Sequence, residues 1–103
     1  MARISIIHNG RTTKVIELDT GAVTLGRAQD NQVQITDTTI SSHHAQIVTY
    51  FNASYVEDMG STNGTFVNGR RIKMHILKPG DIIQIGQHSI KVEEDALPNT
   101  AVA

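Results

Sequence analysis

Apolar and polar residues alternate along nearly the whole chain, with the two-residue period of strands and not the 3.6-residue period of helices. RISII (3–7) sets Ile4 and Ile6 on one face. TKVIEL (13–18) does the same with Ile16 and Leu18, AVTLGR (22–27) with Val23 and Leu25, and QVQI (32–35) with Val33 and Ile35. HAQIVTYF (44–51) is rich in β-branched and aromatic residues, and its alternation predicts Ala45, Ile47 and Phe51 on the inner side. SYVED (54–58), TFVNG (65–69), RRIKM (70–74), DIIQIG (81–86) and SIKVEE (89–94) complete the series. Turn chemistry separates these runs. Asn9-Gly10 and Asn68-Gly69 favour the positive φ angles of tight hairpins. Lys78-Pro79-Gly80-Asp81 has the Pro-Gly centre of a type II turn, and Gly86-Gln87-His88 joins the last two runs. Nowhere does an apolar stripe recur at helical spacing. The pattern therefore predicts an all-β, antiparallel sandwich or barrel of roughly nine to eleven short strands. Residues 1–94 read as one domain without internal repeats, and the small, polar segment 95–103 reads as a flexible tail or linker.

Composition narrows the function classes. No apolar stretch approaches the roughly 20 residues that span a bilayer, and the apolar run in MARISIIHNG is too short for a signal peptide. Neither membrane association nor export is expected, and a cytoplasmic location is. The chain has 0 cysteines, which removes disulfides, thiol nucleophiles and cysteine-based zinc sites. His8, His75 and His88 are scattered without ligand spacing, and the rings of the adjacent His43 and His44 diverge on an extended chain. No metal or cofactor is expected. With 9 basic and 10 acidic residues the net charge is −1, which argues against a general nucleic-acid binder. Any phosphate recognition must come from a local cluster.

Three motifs fall at loop positions: Gly26-Arg27 at the end of a strand run, Ser41-Ser42-His43-His44-Ala45 before another, and DMGSTNGTFVNG from Asp58 to Gly69. The last packs glycines, amides and hydroxyls together. It could be a connector, or a grip on an anion made of backbone amides and hydroxyls. A Ser-His-Asp set of Ser41 or Ser61 with His44 and Asp58 can be drawn, but no nucleophile elbow or oxyanion turn accompanies it, so no catalytic residue is assigned.

In this order and spacing the three motifs resemble the forkhead-associated (FHA) domain, over about residues 3 to 94. The resemblance implies a β-sandwich of eleven short strands whose loops at one end bind phosphothreonine in a protein or peptide. It implies no enzyme activity, a serine/threonine kinase upstream, and no nucleic-acid or membrane partner. Arg27, Ser41, Ser42, Thr62 and Asn63 are then the ligand-binding residues, and Gly26, His44, Gly60 and Gly64 the pocket scaffold. The chemistry agrees. A phosphothreonine brings about two negative charges and three acceptor oxygens, and Arg27 is the only Lys or Arg within the three motifs. Its planar fork can hold two phosphate oxygens at once. Ser41, Ser42 and Thr62 add neutral donors, Asn63 suits the ligand's own backbone, and Gly26 lets the strand end turn so that Arg27 points outward. For His44 the resemblance implies a hydrogen-bonding role that holds the binding loops together. Arg70-Arg71-Ile72-Lys73 forms a basic cluster that is either a solvated strand edge or a contact for an acidic stretch of the partner. The rival reading is an assembly module that binds through a sheet face or strand edge whatever the phosphorylation state.

Overall fold

The computed structural model describes residues 2–94, all of them in strands, turns and loops. Eleven strands follow in chain order: β1 (Ala2–His8), β2 (Arg11–Glu17), β3 (Gly21–Gly26), β4 (Val33–Gln34), β5 (Ala45–Tyr50), β6 (Ala53–Asp58), β7 (Thr65–Val67), β8 (Arg70–Ile72), β9 (Met74–Ile76), β10 (Ile82–Ile85) and β11 (His88–Glu94). They form a six-stranded sheet in the order β2-β1-β11-β10-β7-β8 and a five-stranded sheet in the order β4-β3-β5-β6-β9. The fold is the expected all-β sandwich. Its pairings are antiparallel except between β3 and the two-residue β4, which run parallel. The expected tail, 95–103, lies outside the described residues.

Alternation supplies the core. Ile4, Ile6, Val67, Ile83, Ile85, Ile90 and Val92 face inward from the six-stranded sheet, and Leu25, Val33, Ala45, Ile47 and Val56 from the five-stranded one. Leu18, Ile35 and Ile40 close the edges from loops. Truncating any one of the fully buried isoleucines costs about 2–5 kcal/mol.

Two expectations fail at strand ends. Phe51 is 79% exposed, not inward, because the chain turns there with φ 58°. The third inward residue of β5 is Thr49, whose hydroxyl is hydrogen-bonded to that of Ser54. RRIKM is not one strand: β8 pairs with β7 in one sheet, and the chain crosses at Lys73 so that β9 pairs with β6 in the other. The hairpin turns are as expected, with Asn9 and Gly10 at φ 53° and 77° and Asn68 and Gly69 at φ 52° and 84°. The site is positioned by the loops that gather at one end: the close of β3, the 35–44 segment, the 59–64 segment and the Gly86-Gln87 turn.

Candidate functional site

Strand β3 ends against the segment that carries the two serines. Arg27 N–H donates to the Ser41 carbonyl at 3.0 Å and Ala28 N–H to the Ser42 carbonyl at 3.1 Å. The buried Asn31 amide ties the same Ser42 carbonyl to that of Ala28, each at 2.7 Å. Gly26 is squeezed between them: a Cβ there would overlap the Ser42 carbonyl oxygen and stand 2.8 Å from Asn31 Nδ2. Its φ is not in the left-handed region, so glycine is required by close approach and not by the turning of the strand end. The Arg27 guanidinium is exposed and has no ion-pair partner among the described residues.

Behind the serines, His44 is fully buried. Its Nδ1 accepts from Ser41 N–H at 3.1 Å, and its Nε2 lies 2.8 Å from the Gly64 carbonyl. A carbonyl only accepts, so Nε2 carries the proton and the ring is the neutral Nε2–H tautomer. Both nitrogens are occupied, which leaves none to serve as a base for Ser41 or Ser61. The backbone of His44 links Leu25 to Met59, each at 2.9 Å. One residue therefore joins all three motif segments.

The 58–64 loop is wound around a carboxylate. Asp58 Oδ2 accepts from Gly60 and Ser61 N–H, both at 3.0 Å, and Oδ1 accepts from the Ser61 and Thr65 hydroxyls. Burial pushes the Asp58 carboxyl upward, but these hydrogen bonds outweigh it and hold the group below its ordinary value. Gly60 and Gly64 occupy φ 77° and 94°, and Gly64 N–H donates to Ser61 Oγ at 3.0 Å. Thr62 and Asn63 are thereby pushed to the exposed crest. Thr62 N–H donates to Ser41 Oγ at 3.1 Å, and Asn63 Nδ2 to the Thr39 carbonyl at 2.9 Å.

A second carboxylate shapes the 37–41 segment. Asp37 accepts from the Thr39 amide at 2.8 Å and hydroxyl at 2.6 Å, and across the sandwich from Gln87 N–H at 3.2 Å. The Thr39 hydrogen bonds, joined by Gln87 and the nearby His88, lower its carboxyl to about 2. Gly86 admits this packing, since a Cβ there would stand 2.5 Å from Thr39 Oγ1 and 2.7 Å from Ile40 Cγ1.

These loops enclose a depression of about 320 Å³ lined by Arg27, Thr38, Thr39, Ile40, Ser41, Ser42, Thr62 and Asn63. All five residues expected to bind ligand meet there, while Gly26, His44, Gly60 and Gly64 stand behind or beside it. Sequence reasoning missed Thr38, Thr39 and Ile40, and the two carboxylates beneath. The signal for Asp37 and Asp58 was an Asp two or three residues before a Thr or Ser, as in turns closed by an aspartate side chain. A larger depression of about 580 Å³ runs beside β2 and β3 from Lys14 to Val33, but it contains none of the motif residues.

Comparison with known proteins gives a consistent picture. The family model for the FHA domain matches residues 23–86. An ABC transporter ATP-binding/permease protein of Mycobacterium tuberculosis is 42% identical over 83 residues, which are 81% of this chain and 9% of that protein. FHA domain-containing protein FhaB of the same organism is 33% identical over 93 residues, covering 88% of this chain and 60% of FhaB. The chain thus spans less than two thirds of either relative. A solved domain from a study of phosphothreonine-dependent FHA domain interactions superposes with a TM-score of 0.83 at 31% identity, covering 93% of this chain and 98% of that one.

Proposed function

The chain belongs to the FHA domain family, and from that premise we propose that it is a phosphothreonine-dependent protein-binding module acting downstream of a serine/threonine kinase. The observation that carries this reading is the meeting of one unpaired arginine with hydroxyl and amide donors in a single depression. Arg27 grips two phosphate oxygens with its fork. Ser41 keeps its hydroxyl proton for the phosphate, because its oxygen accepts from Thr62 N–H. The Ser42 hydroxyl and Thr62 complete the donor set. Asn63 has its Nδ2 on Thr39, which leaves Oδ1 to accept from the ligand's backbone. The γ-methyl of threonine adds apolar contact in the depression that phosphoserine lacks. One buried methyl is worth about 0.8 kcal/mol, or about fourfold over phosphoserine. FHA domains are binding modules and not catalysts. The reading places the module in the cytoplasm with its kinase.

Matched phosphorylated and unphosphorylated threonine peptides test it by calorimetry or fluorescence anisotropy. Phosphorylation should strengthen binding, and Arg27→Ala should weaken the phosphorylated complex by more than tenfold, since a bidentate charge-assisted contact is lost. Equal affinity for the two peptides, or an unaffected variant, would refute the proposal.

One observation favours the rival reading, docking whatever the phosphorylation state. Register aligns Ala22, Val48, Tyr55 and Ile76 across the outer face of the five-stranded sheet, with Ile76 66% and the neighbouring Met74 59% exposed. A complex that survives phosphatase treatment and is lost in Ile76→Glu would mark this face as the docking surface.

A further inference from the structure

The basic run after the second hairpin reaches the same end of the sandwich as the pocket. Strand β8 lies at the edge of the six-stranded sheet, and Arg71 stands opposite Phe66 on its outer face. The Arg71 side chain closes over Gly64: the point where a Cβ would stand there is 2.8 Å from Arg71 Nε, 3.1 Å from Cζ and 3.3 Å from Phe66 Cε1. Gly64 directly follows Asn63 of the pocket. On this side of the loop lies a cleft of about 540 Å³ lined by Asp58, Gly60, Ser61, Arg71, Ile72 and Lys73. The cleft holds two cations and one carboxylate. Both oxygens of that carboxylate are taken by the loop's own N–H and hydroxyl donors. Neither Arg71 nor Lys73 has an ion-pair partner among the described residues.

Resting on the phosphothreonine reading, we propose that this cleft is a second anion subsite, in which Arg71 and Lys73 select ligands that carry a carboxylate or a further phosphoryl group near the phosphothreonine. Arg71 supplies the geometry, since its fork is held against the loop, and Lys73 adds charge. One loop serves both sites, with Gly60 and Ser61 lining the cleft and Thr62 and Asn63 lining the phosphate pocket. An extended ligand advances about 3.3 Å per residue, so an anionic group a few residues from the phosphothreonine is placed to reach the cleft. An edge strand also carries Lys and Arg simply to discourage sheet-to-sheet association. That use needs charge but confers no preference among ligands.

The test compares phosphothreonine peptides that differ only in flanks: alanine, glutamate or lysine within four residues on either side, and one arm with a second phosphoserine. Each is measured with the wild-type chain, with Arg71→Gln/Lys73→Gln, and with Lys14→Gln as a distant charge control. Exposed pairs are weak, so two of them should give glutamate over alanine a preference of about threefold to tenfold at low salt. The lysine-flanked peptide should bind more weakly than the alanine one. The preference should fall towards one in the double variant and persist in Lys14→Gln. The glutamate and phosphoserine arms tell which anion the cleft favours. Phosphorylation-dependent binding with no preference for either the glutamate or the phosphoserine arm in the wild type would overturn the subsite and leave the pocket standing, as would a preference that survives the double substitution. The wild-type contrast needs no variant to fold. Equal binding of phosphorylated and unphosphorylated peptides would overturn the phosphothreonine reading, and the subsite with it.

Discussion

At the scale of single residues, the site depends on groups that never face the ligand. Gly26 is the clearest. The Ser42 carbonyl and Asn31 amide occupy the space a side chain would need, and the carbonyl belongs to backbone that cannot swing aside. Gly26→Ala must therefore pry the serine segment away from the end of β3. Overpacking of this kind costs about 1–3 kcal/mol, and about 2 kcal/mol lowers Tm by roughly 10 °C in a domain of this size. Phosphopeptide affinity should fall as well, because the displaced segment carries Ser41 and is bonded to Arg27 N–H. A thermal melt and a titration on the same protein check both, and an unchanged melting temperature would contradict this account. Arg27, Ser41, Ser42, Thr62 and Asn63 could be singled out in the sequence through the three motifs and the resemblance they carry, and the structure brings all five to one depression. Asp37 and Asp58 were not read as organisers, because a carboxylate's partners in a loop are backbone amides, which every sequence supplies alike.

At the scale of elements, the alternation located the strands well and their ends poorly. Period two continues through HAQIVTYF into Phe51, yet Tyr50 already pairs with Ala53 across a two-residue turn. Nothing in apolar patterning announces that reversal, whereas Asn9-Gly10 and Asn68-Gly69 announced theirs through backbone preference. The crossing at Lys73 was equally silent, since one residue between β8 and β9 leaves the alternation intact while the chain changes sheets. The turn at Phe51 offers a prediction contrary to hydrophobic intuition. A bulky residue at φ 58° is strained, while asparagine tolerates that region. The ring is 79% exposed and its aromatic neighbour is Tyr50, at 4.4 Å between centroids, so little burial is lost by removing it. Phe51→Asn should raise stability by about 0.5 kcal/mol in a denaturant titration. A loss of more than 1 kcal/mol would mean the aromatic pair matters more than the backbone strain.

At the scale of the whole molecule, the pocket works as a clasp between the two sheets. The 37–41 segment hangs from the five-stranded sheet, the Gly86-Gln87 turn belongs to the six-stranded one, and Asp37 joins them by accepting from Gln87 N–H. His88 Nδ1 adds an electrostatic contact 3.3 Å from Asp37 Oδ2, without a well-formed hydrogen bond. The clasp should therefore have a signature in pH. The Asp37 carboxyl is lowered from 3.8 to about 2, chiefly by Thr39, so its charged form is favoured by folding. A depressed carboxylate contributes stability that is full above its unfolded value and fades as pH falls through the folded one. For Asp37 that window runs from about pH 4 down to about pH 2. His88 acts in a separate, higher range. Burial first, then the neighbouring His8, lowers its pKa below 6.5 despite Asp37, so the fold favours the neutral ring and loses stability as pH drops below 6.5. Comparing wild type with Asp37→Asn tests the lower step in the range from about pH 4 to pH 2, because asparagine keeps an acceptor for Thr39 but not the charge. The same substitution removes the charge that raises the His88 pKa, so the gap near pH 6.5 reports both groups and does not serve the test. The wild type should be the more stable at pH 7, and the gap should close between about pH 4 and pH 2 as its carboxyl protonates. Stability is the proper readout, since the second ionisation of a phosphate near pH 6 would confound binding over the same titration. A gap that is constant across the acid range, or that widens towards pH 2, would show that the Asp37 charge does not hold the two sheets' loops together.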